Sequence, residues 1–337
     1  MDKHNHTMIK TILCLSITFL FFSCKKVEKK VRKATSPQKI ESKNDSVSHA
    51  KVDLSDFHIF DLYPIENGDE DEIFISLSDI YSDSITVPPE IIKNQKNIPF
   101  DKLKHFELPP FYRQKLLKGT KLSENDTLYL FNYKENQLEK FPIKNLKAVA
   151  NLNLYSSEGD EIYDYYYMIG FQLNEKMDRK RSGYKTNFSL AYFGKENPFA
   201  EQKLEPVKWK KADEKDFPVR ITSKLKLGKT YQYKFGDLHC YLQDLMSENQ
   251  LTERRFVTLK NGKVILDRTF TKGEGSEFYP LNFVENDEFN ENQWTGNLFK
   301  GKPPIVFGFL SESFGCTAIT FLDNSYPDLY TDCDNRH

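Results

Sequence analysis

The run Phe256-Val-Thr-Leu-Lys-Asn261-Gly262-Lys-Val-Ile-Leu266 constrains the fold of this chain more than any other stretch. Asn-Gly between two β-rich runs is a strong hairpin signal, because a type I′ turn needs positive φ at both central residues. Val257, Leu259, Val264 and Leu266 mark the apolar positions around it. Similar period-2 runs, separated by short turn signals, recur along the chain in the pattern of antiparallel sheet. A second hairpin is predicted where 305–310 meets 316–322, and a third where 57–62 meets 73–77 across the acidic Asn67-Gly68 loop. Residues 128–131 and 146–154 read as further strands. So does 163–171, which would place Tyr163, Tyr165, Tyr167, Ile169 and Phe171 on one face. Helix is scarce. It is predicted for 111–117, for part of 238–250 with Asp237 as N-cap, and for a short segment opened by Pro89. The expected fold class is mainly β (α+β with minor helix), built from antiparallel hairpins or sandwich-like sheets.

Residues 53–337 suffice for two modest domains or one large one. Apolar content of 39% and aromatic content of 14% suit a globular body, and 27 Phe residues are unusually many. The segment 197–218 is rich in Lys, Glu and Pro, so a boundary is expected there, between a domain at 53–200 and another at 219–337. A single sandwich with a long insertion would give the same pattern. The formal net charge is −1, and no basic face is visible in the body, which argues against nucleic acid as a partner.

At the N-terminus, Lys10 precedes the apolar run TILCLSITFLFF at 11–22, followed by Ser23, Cys24 and a basic stretch. The run is too short to span a bilayer but suits the core of a secretory signal. Met8-Ile9-Lys10 would by itself make a compact charged start. The segment resembles a bacterial lipoprotein signal, in which cleavage leaves a cysteine that is then acylated. Ser23 fits that pattern, whereas Phe21 and Phe22 depart from it. The resemblance implies a signal peptide at 1–23, lipidation of Cys24, membrane attachment through the acylated residue and a place in the cell envelope, at the outer membrane. A plain signal cut nearby and an uncleaved anchor are the alternatives. Two or three acyl chains would hold firmly, at about 0.8 kcal/mol per buried methylene. From Lys25 to Lys33 the chain carries six basic residues and one acid, and 34–52 is polar. Residues 24–52 are therefore expected to form a lipidated, disordered, basic tether.

Beyond Cys14 and Cys24, three cysteines remain in what would be an oxidising compartment. One disulfide with one spare thiol is the simplest arrangement. Cys316 and Cys333 are the preferred pair, as both lie in the C-terminal segment. The alternative leaves all three reduced and buried. Ser313-Phe314-Gly315-Cys316 resembles the S-x-G-C signature of L,D-transpeptidases, which would imply a nucleophilic Cys316. That family carries Arg two residues after the cysteine and a histidine shortly upstream. Here the position holds Ala318, and the last preceding histidine is His239.

His239, Cys240, Cys333 and His337 offer zinc-ligand types, but tight ligand spacings are missing, so no metal is expected. The acidic clusters at 66–72 and 285–288 lack EF-hand spacing. The tyrosines of 163–171 could form a stacking platform. No catalytic residues and no cofactor are expected. The leading expectation is a non-catalytic binding or scaffolding module with a protein or glycan partner in the envelope. The alternatives are an envelope hydrolase or transpeptidase using Cys316, and a protective inhibitor lipoprotein.

Overall fold

The computed structural model describes residues 51–67, 69–81, 87–285, 291–313 and 315–335. Every strand pairing between named strands is antiparallel, and no described α-helix exceeds ten residues. The fold is mainly β, as the alternating pattern requires.

The first sheet runs in the order Tyr63–Asn67, Glu70–Ser76, Tyr167–Asp178, Lys147–Leu152, His105–Glu107. Its middle strand is buried over seven consecutive residues from Tyr167, because both faces are covered. Gly170 allows the neighbouring strand to approach: a Cβ there would lie 2.0 Å from the carbonyl oxygen of Ile75. A three-stranded sheet, Gln137–Pro142, Thr127–Asn132 and Ser189–Gly194, separates two cores. Leu128 and Leu130 join Ile73, Ile169 and Phe171 on one side. Tyr129 and Phe131 join Trp294 and Phe307 on the other. Alternate side chains of one strand thus serve opposite cores.

The strands Lys210–Ala212, Lys226–Phe235, Leu238–Ser247, Gln250–Lys260 and Lys263–Thr271 form a meander in chain order. The Asn261-Gly262 turn has φ of 50° and 73°, as a type I′ hairpin needs. Glu248 and Asn249, at 49° and 69°, make a similar turn one hairpin earlier. Trp209, Tyr231, Leu242, Phe256 and Phe309 build a third core against this meander. The fourth sheet runs Leu329–Tyr330, Ala318–Phe321, Ile305–Phe307, Trp294–Gly296, Glu205–Pro206. Ser276–Phe278 pairs separately with Leu310–Glu312.

Several elements differ from the sequence expectation. Residues 238–247 are a strand and not a helix. Leu238, Cys240 and Leu242 fall on one face and pack into the third core, so their period of 2 prevails over the Asp237 capping signal. The first hairpin uses Tyr63–Asn67 instead of 57–62, whereas Phe60 forms isolated bridges to Ala191 and Asp332. The tyrosine strand begins only at Tyr167, because Asp164–Tyr166 is a 3-10 turn that breaks the alternation. Tyr163 and Tyr165 instead stack on each other, ring centroids 5.6 Å apart, at the surface. Ile305–Phe307 pairs with Ala318–Phe321 as expected, yet Leu310–Glu312 leaves that hairpin for Ser276–Phe278. Helix Arg179–Phe188 was not anticipated. Its signal is Asp178, whose carboxylate accepts from the amides of Lys180 and Arg181.

Residues 49–337 form one compact unit. The segment 197–218 contributes buried Phe199, Leu204, Val207 and Trp209, and the second core draws side chains from both sides of it. The first core lies wholly before this stretch and the third draws on residues from Val207 onward, while the second core and four apolar anchors tie the stretch to both.

Candidate functional site

A cleft of about 660 Å³ opens near the second core. Trp294 and Phe307 reach it from adjacent strands of the fourth sheet, and Tyr133 follows the central strand of the three-stranded sheet. These rings pack edge to face, with the Tyr133 centroid 5.3 Å from Trp294 and 5.4 Å from Phe307. Hydrogen bonds fix the polar ends. The Tyr133 hydroxyl donates to the Asn187 carbonyl at 2.9 Å, and Trp294 Nε1 donates to the Glu291 carbonyl at 3.1 Å. Beside them the Lys134 ammonium sits 4.4 Å from the Phe188 ring centre and 5.6 Å from that of Trp294. Its Nζ lies 2.8 Å from Glu291 Oε2.

The C-terminal strip carries a second, acidic group. The Tyr63 hydroxyl donates to the Cys333 carbonyl, and Ser76 Oγ donates to the buried Asp334 carboxylate. The Asp334 amide donates to Asp79 Oδ2 at 2.8 Å. Thr331 Oγ1 donates to Asp61 Oδ2 at 3.0 Å. Burial pushes the Asp61 carboxyl up to about 6; the Thr331 bond opposes that shift and the charge of Asp332 reinforces it. Burial also raises the Tyr63 phenol, with the charges of Asp61, Asp334 and Asp79 adding to it. Next to this group His58 Nδ1 meets Asp332 Oδ2 at 3.1 Å, and that hydrogen bond raises the imidazole above its ordinary value.

Two loops complete the walls. Asn153 Oδ1 accepts from the amides of Tyr155 and Ser156, a turn that leaves Leu154 and Tyr155 largely exposed at the mouth. On the other side Gly308 has a φ of 87°, and a Cβ there would lie 1.9 Å from the Asn292 carbonyl oxygen. Only glycine lets this backbone pass so close. The Gly308 carbonyl accepts from Gln293 Nε2 at 2.8 Å, which holds the wall in place. Among the described residues lining the cleft, four are carboxylates (Asp61, Glu291, Glu312 and Asp334) and none is Lys, Arg or His.

Cys316 and Cys333 are joined in a disulfide, Cα to Cα 5.5 Å, which ties the C-terminal strip beneath the cleft to the loop before Ala318–Phe321. A disulfide-bonded Cys316 has no thiolate to offer as a nucleophile. Cys240 is buried in the third core, its Sγ 3.7 Å from Thr258 Oγ1, and burial pushes its thiol up to about 12. His239 is exposed on the opposite face of the same strand, so the two do not converge. Among the described residues no three His, Cys, Asp or Glu side chains come together as a metal site. Cys24 and His337 lie outside the described residues. No described helix is long and apolar enough to cross a membrane.

Asp61, Tyr133, Trp294 and Asp334 come from four separated stretches and carry no motif; of the cleft lining, the sequence marks as candidates only Ser313 and Gly315, in the S-x-G-C string, and Cys333, as a disulfide partner or metal ligand. Compared with protein families, curated proteins and solved structures, the chain matches none.

Proposed function

We propose that this chain is a lipid-anchored protein of the cell envelope whose folded body is a non-catalytic module that binds its ligand in the cleft between Trp294 and Asp61. One observation carries the binding reading: a concave site of about 660 Å³, within the size range of ligand pockets, with aromatic walls and converging polar groups. The chemistry of the cysteines supports a role without a thiol nucleophile, since Cys316 is oxidised and Cys240 is buried. The anchor rests on the sequence of 10–26 alone. An acylated Cys24 would hold the body at the membrane, where its ligand would also be met.

Two measurements test the proposal. Cys24→Ser, followed by fractionation, is expected to move the protein from membrane to soluble fraction, and retention on the membrane at high salt contradicts the anchor. Amide exchange with and without a soluble envelope extract is expected to slow at 153–155, 308–312 and 331–335. Protection elsewhere, with none at these segments, contradicts the cleft. The competing hydrolase reading has Asp61 on its side, because a carboxyl near 6 is in the range of a general acid. Turnover of peptidoglycan fragments that is lost in Asp61→Asn would establish that reading instead.

A further inference from the structure

We infer that the first edge of the meander is a bilayer-contact face: Phe283 enters the headgroup layer of an anionic membrane, and the lysines beside it meet lipid phosphates. This rests on the reading that the protein works at a membrane, and it does not need the acyl anchor. Charge comes first. Between Lys203 and Lys234 the chain carries ten basic residues and four acids, whereas the remainder of 51–337 carries 28 basic and 41 acidic residues. Lys210 and Lys211 lie on Lys210–Ala212, the outermost strand of the meander. Lys208 and Lys210 alternate with buried Val207 and Trp209, so both project outward. Lys210 stands opposite Gln232, two residues from exposed Lys234 on the same face. Lys215 pairs with Asp213, but Lys203, Lys208, Lys210, Lys211 and Lys234 form no ion pair among the described residues. Such segregation presents one edge to an anionic surface and turns the acidic remainder away from it.

Phe283 supplies the second observation. It is 43% exposed, although the residues about it are fixed. Leu281 is wholly buried, and Val284 packs against the third core. Asn282 is buried between them; its side chain donates to the Gln293 carbonyl at 2.8 Å and accepts from the Asn292 amide at 2.8 Å. The ring is therefore held outward by a well-anchored loop, on a backbone with φ of 65°, a region that bulky side chains avoid. The Lys208 ammonium lies 5.9 Å from its centre, and Lys203 lines the same depression as Phe283 and Lys208. Phosphate headgroups above an acyl layer use both features at once, with the ring at headgroup depth and the ammonium groups at the phosphates. The 26 residues between Cys24 and Lys51 can span at most about 90 Å, so an acylated Cys24 leaves this edge able to turn to the bilayer.

Co-sedimentation with vesicles tests this. The cores all lie within the compact unit 49–337, so that unit is used, without tether or anchor. Binding is expected to vesicles of equal parts phosphatidylglycerol and phosphatidylcholine at low salt, and about tenfold weaker binding at high salt or to phosphatidylcholine alone. Lys208→Gln with Lys210→Gln is expected to weaken binding about twentyfold, at roughly fivefold for each charge. Phe283→Gly suits the positive φ, so it is expected to weaken binding severalfold without lowering Tm. A merely structural Phe283 would instead lower Tm and leave vesicle binding unchanged. No binding to the anionic vesicles, equal binding to phosphatidylcholine alone, or an affinity that either variant leaves unmoved overturns the inference. Duplex DNA bound more tightly than the anionic vesicles assigns the edge to nucleic acid and also overturns it. Failure here leaves the anchor and the cleft standing, since neither enters the test. Retention of Cys24→Ser at high salt removes the anchor without touching this face.

Discussion

Replacing Arg254 with methionine should expose how the meander is fastened to the loop beside the cleft. Arg254 is 1% exposed, and its guanidinium meets Asp244 at 3.1 Å, Glu285 at 2.6 Å and the Tyr279 carbonyl at 2.9 Å. It also lies 5.1 Å from the Phe278 ring centre. Asp244 is 4% exposed, and its burial raises the carboxyl above the ordinary range even though Arg254 pulls it down. For Glu285 burial acts upward, but the Leu281 amide, Arg254 and Tyr231 together outweigh it, and the carboxyl is lowered. Methionine fills much of the same space and removes all the polar contacts. Glu285 is partly exposed and can take up water, so the cost concentrates at Asp244. Removing one partner of a buried ion pair costs about 3–5 kcal/mol. For a body of this size, that is a fall in Tm of roughly 10 °C. Arg254→Met combined with Asp244→Leu leaves no buried charge unpaired and should recover most of the loss. The double-mutant cycle, read by urea and thermal unfolding, should show a coupling of about 2 kcal/mol or more. A loss below about 1 kcal/mol for Arg254→Met, or strictly additive effects, would refute the reasoning.

Other perturbations have equally definite outcomes. Cys316→Ser with Cys333→Ser should lower stability by about 3 kcal/mol, judged from the size of the closed loop, and should raise amide exchange in 331–335; unchanged melting and exchange would contradict this. Gly170→Ala must displace the Ile75 carbonyl, and a cost of roughly 3 kcal/mol is expected from unfolding curves, with a cost near zero ruling out the close approach. Gly262→Val in the type I′ turn should cost about 1–2 kcal/mol without changing the cooperativity of unfolding. His58 and Asp61 both have raised values in the folded state, so each binds protons there more readily than when unfolded. Their contribution to stability is therefore present at mildly acidic pH and lost as pH rises through about 6 and beyond. Tm should fall between pH 5 and 7.5 on their account, and Asp61→Asn should flatten that slope; a slope that Asp61→Asn leaves unchanged would contradict the assignment.

Local chemistry was legible in the sequence wherever it decided the backbone by itself. Asn261-Gly262 announced its turn, Pro89 and 111–117 announced short helices, and antiparallel sheet followed from alternation. Asp178 is a readable cap signal for the helix Arg179–Phe188. Other features were hidden because neighbours distant in sequence decide them. The strand at 238–247 is held by partners on both sides, which prevails over a plausible helix start. Residues 128–131 face two cores in turn, so their pattern names a strand but not what lies on either side. Asp61 and Asp334 are 273 positions apart and line the same cleft because the C-terminal strip is held against 59–63 by the Phe60–Asp332 bridge and by the Thr331 and Tyr63 hydrogen bonds. No spacing rule could have joined them.

The chain contains only two tryptophans, and they occupy different cores, which offers a direct test of the cleft as the ligand site. Trp209→Phe leaves Trp294, at the cleft wall, as the sole indole reporter. Titration of that variant with a soluble envelope extract should give a saturable change in Trp294 emission, and Glu312→Gln should shift its midpoint to higher extract concentration. Binding detected by calorimetry with no change at Trp294, or a change insensitive to Glu312→Gln, would place the ligand elsewhere and contradict the account.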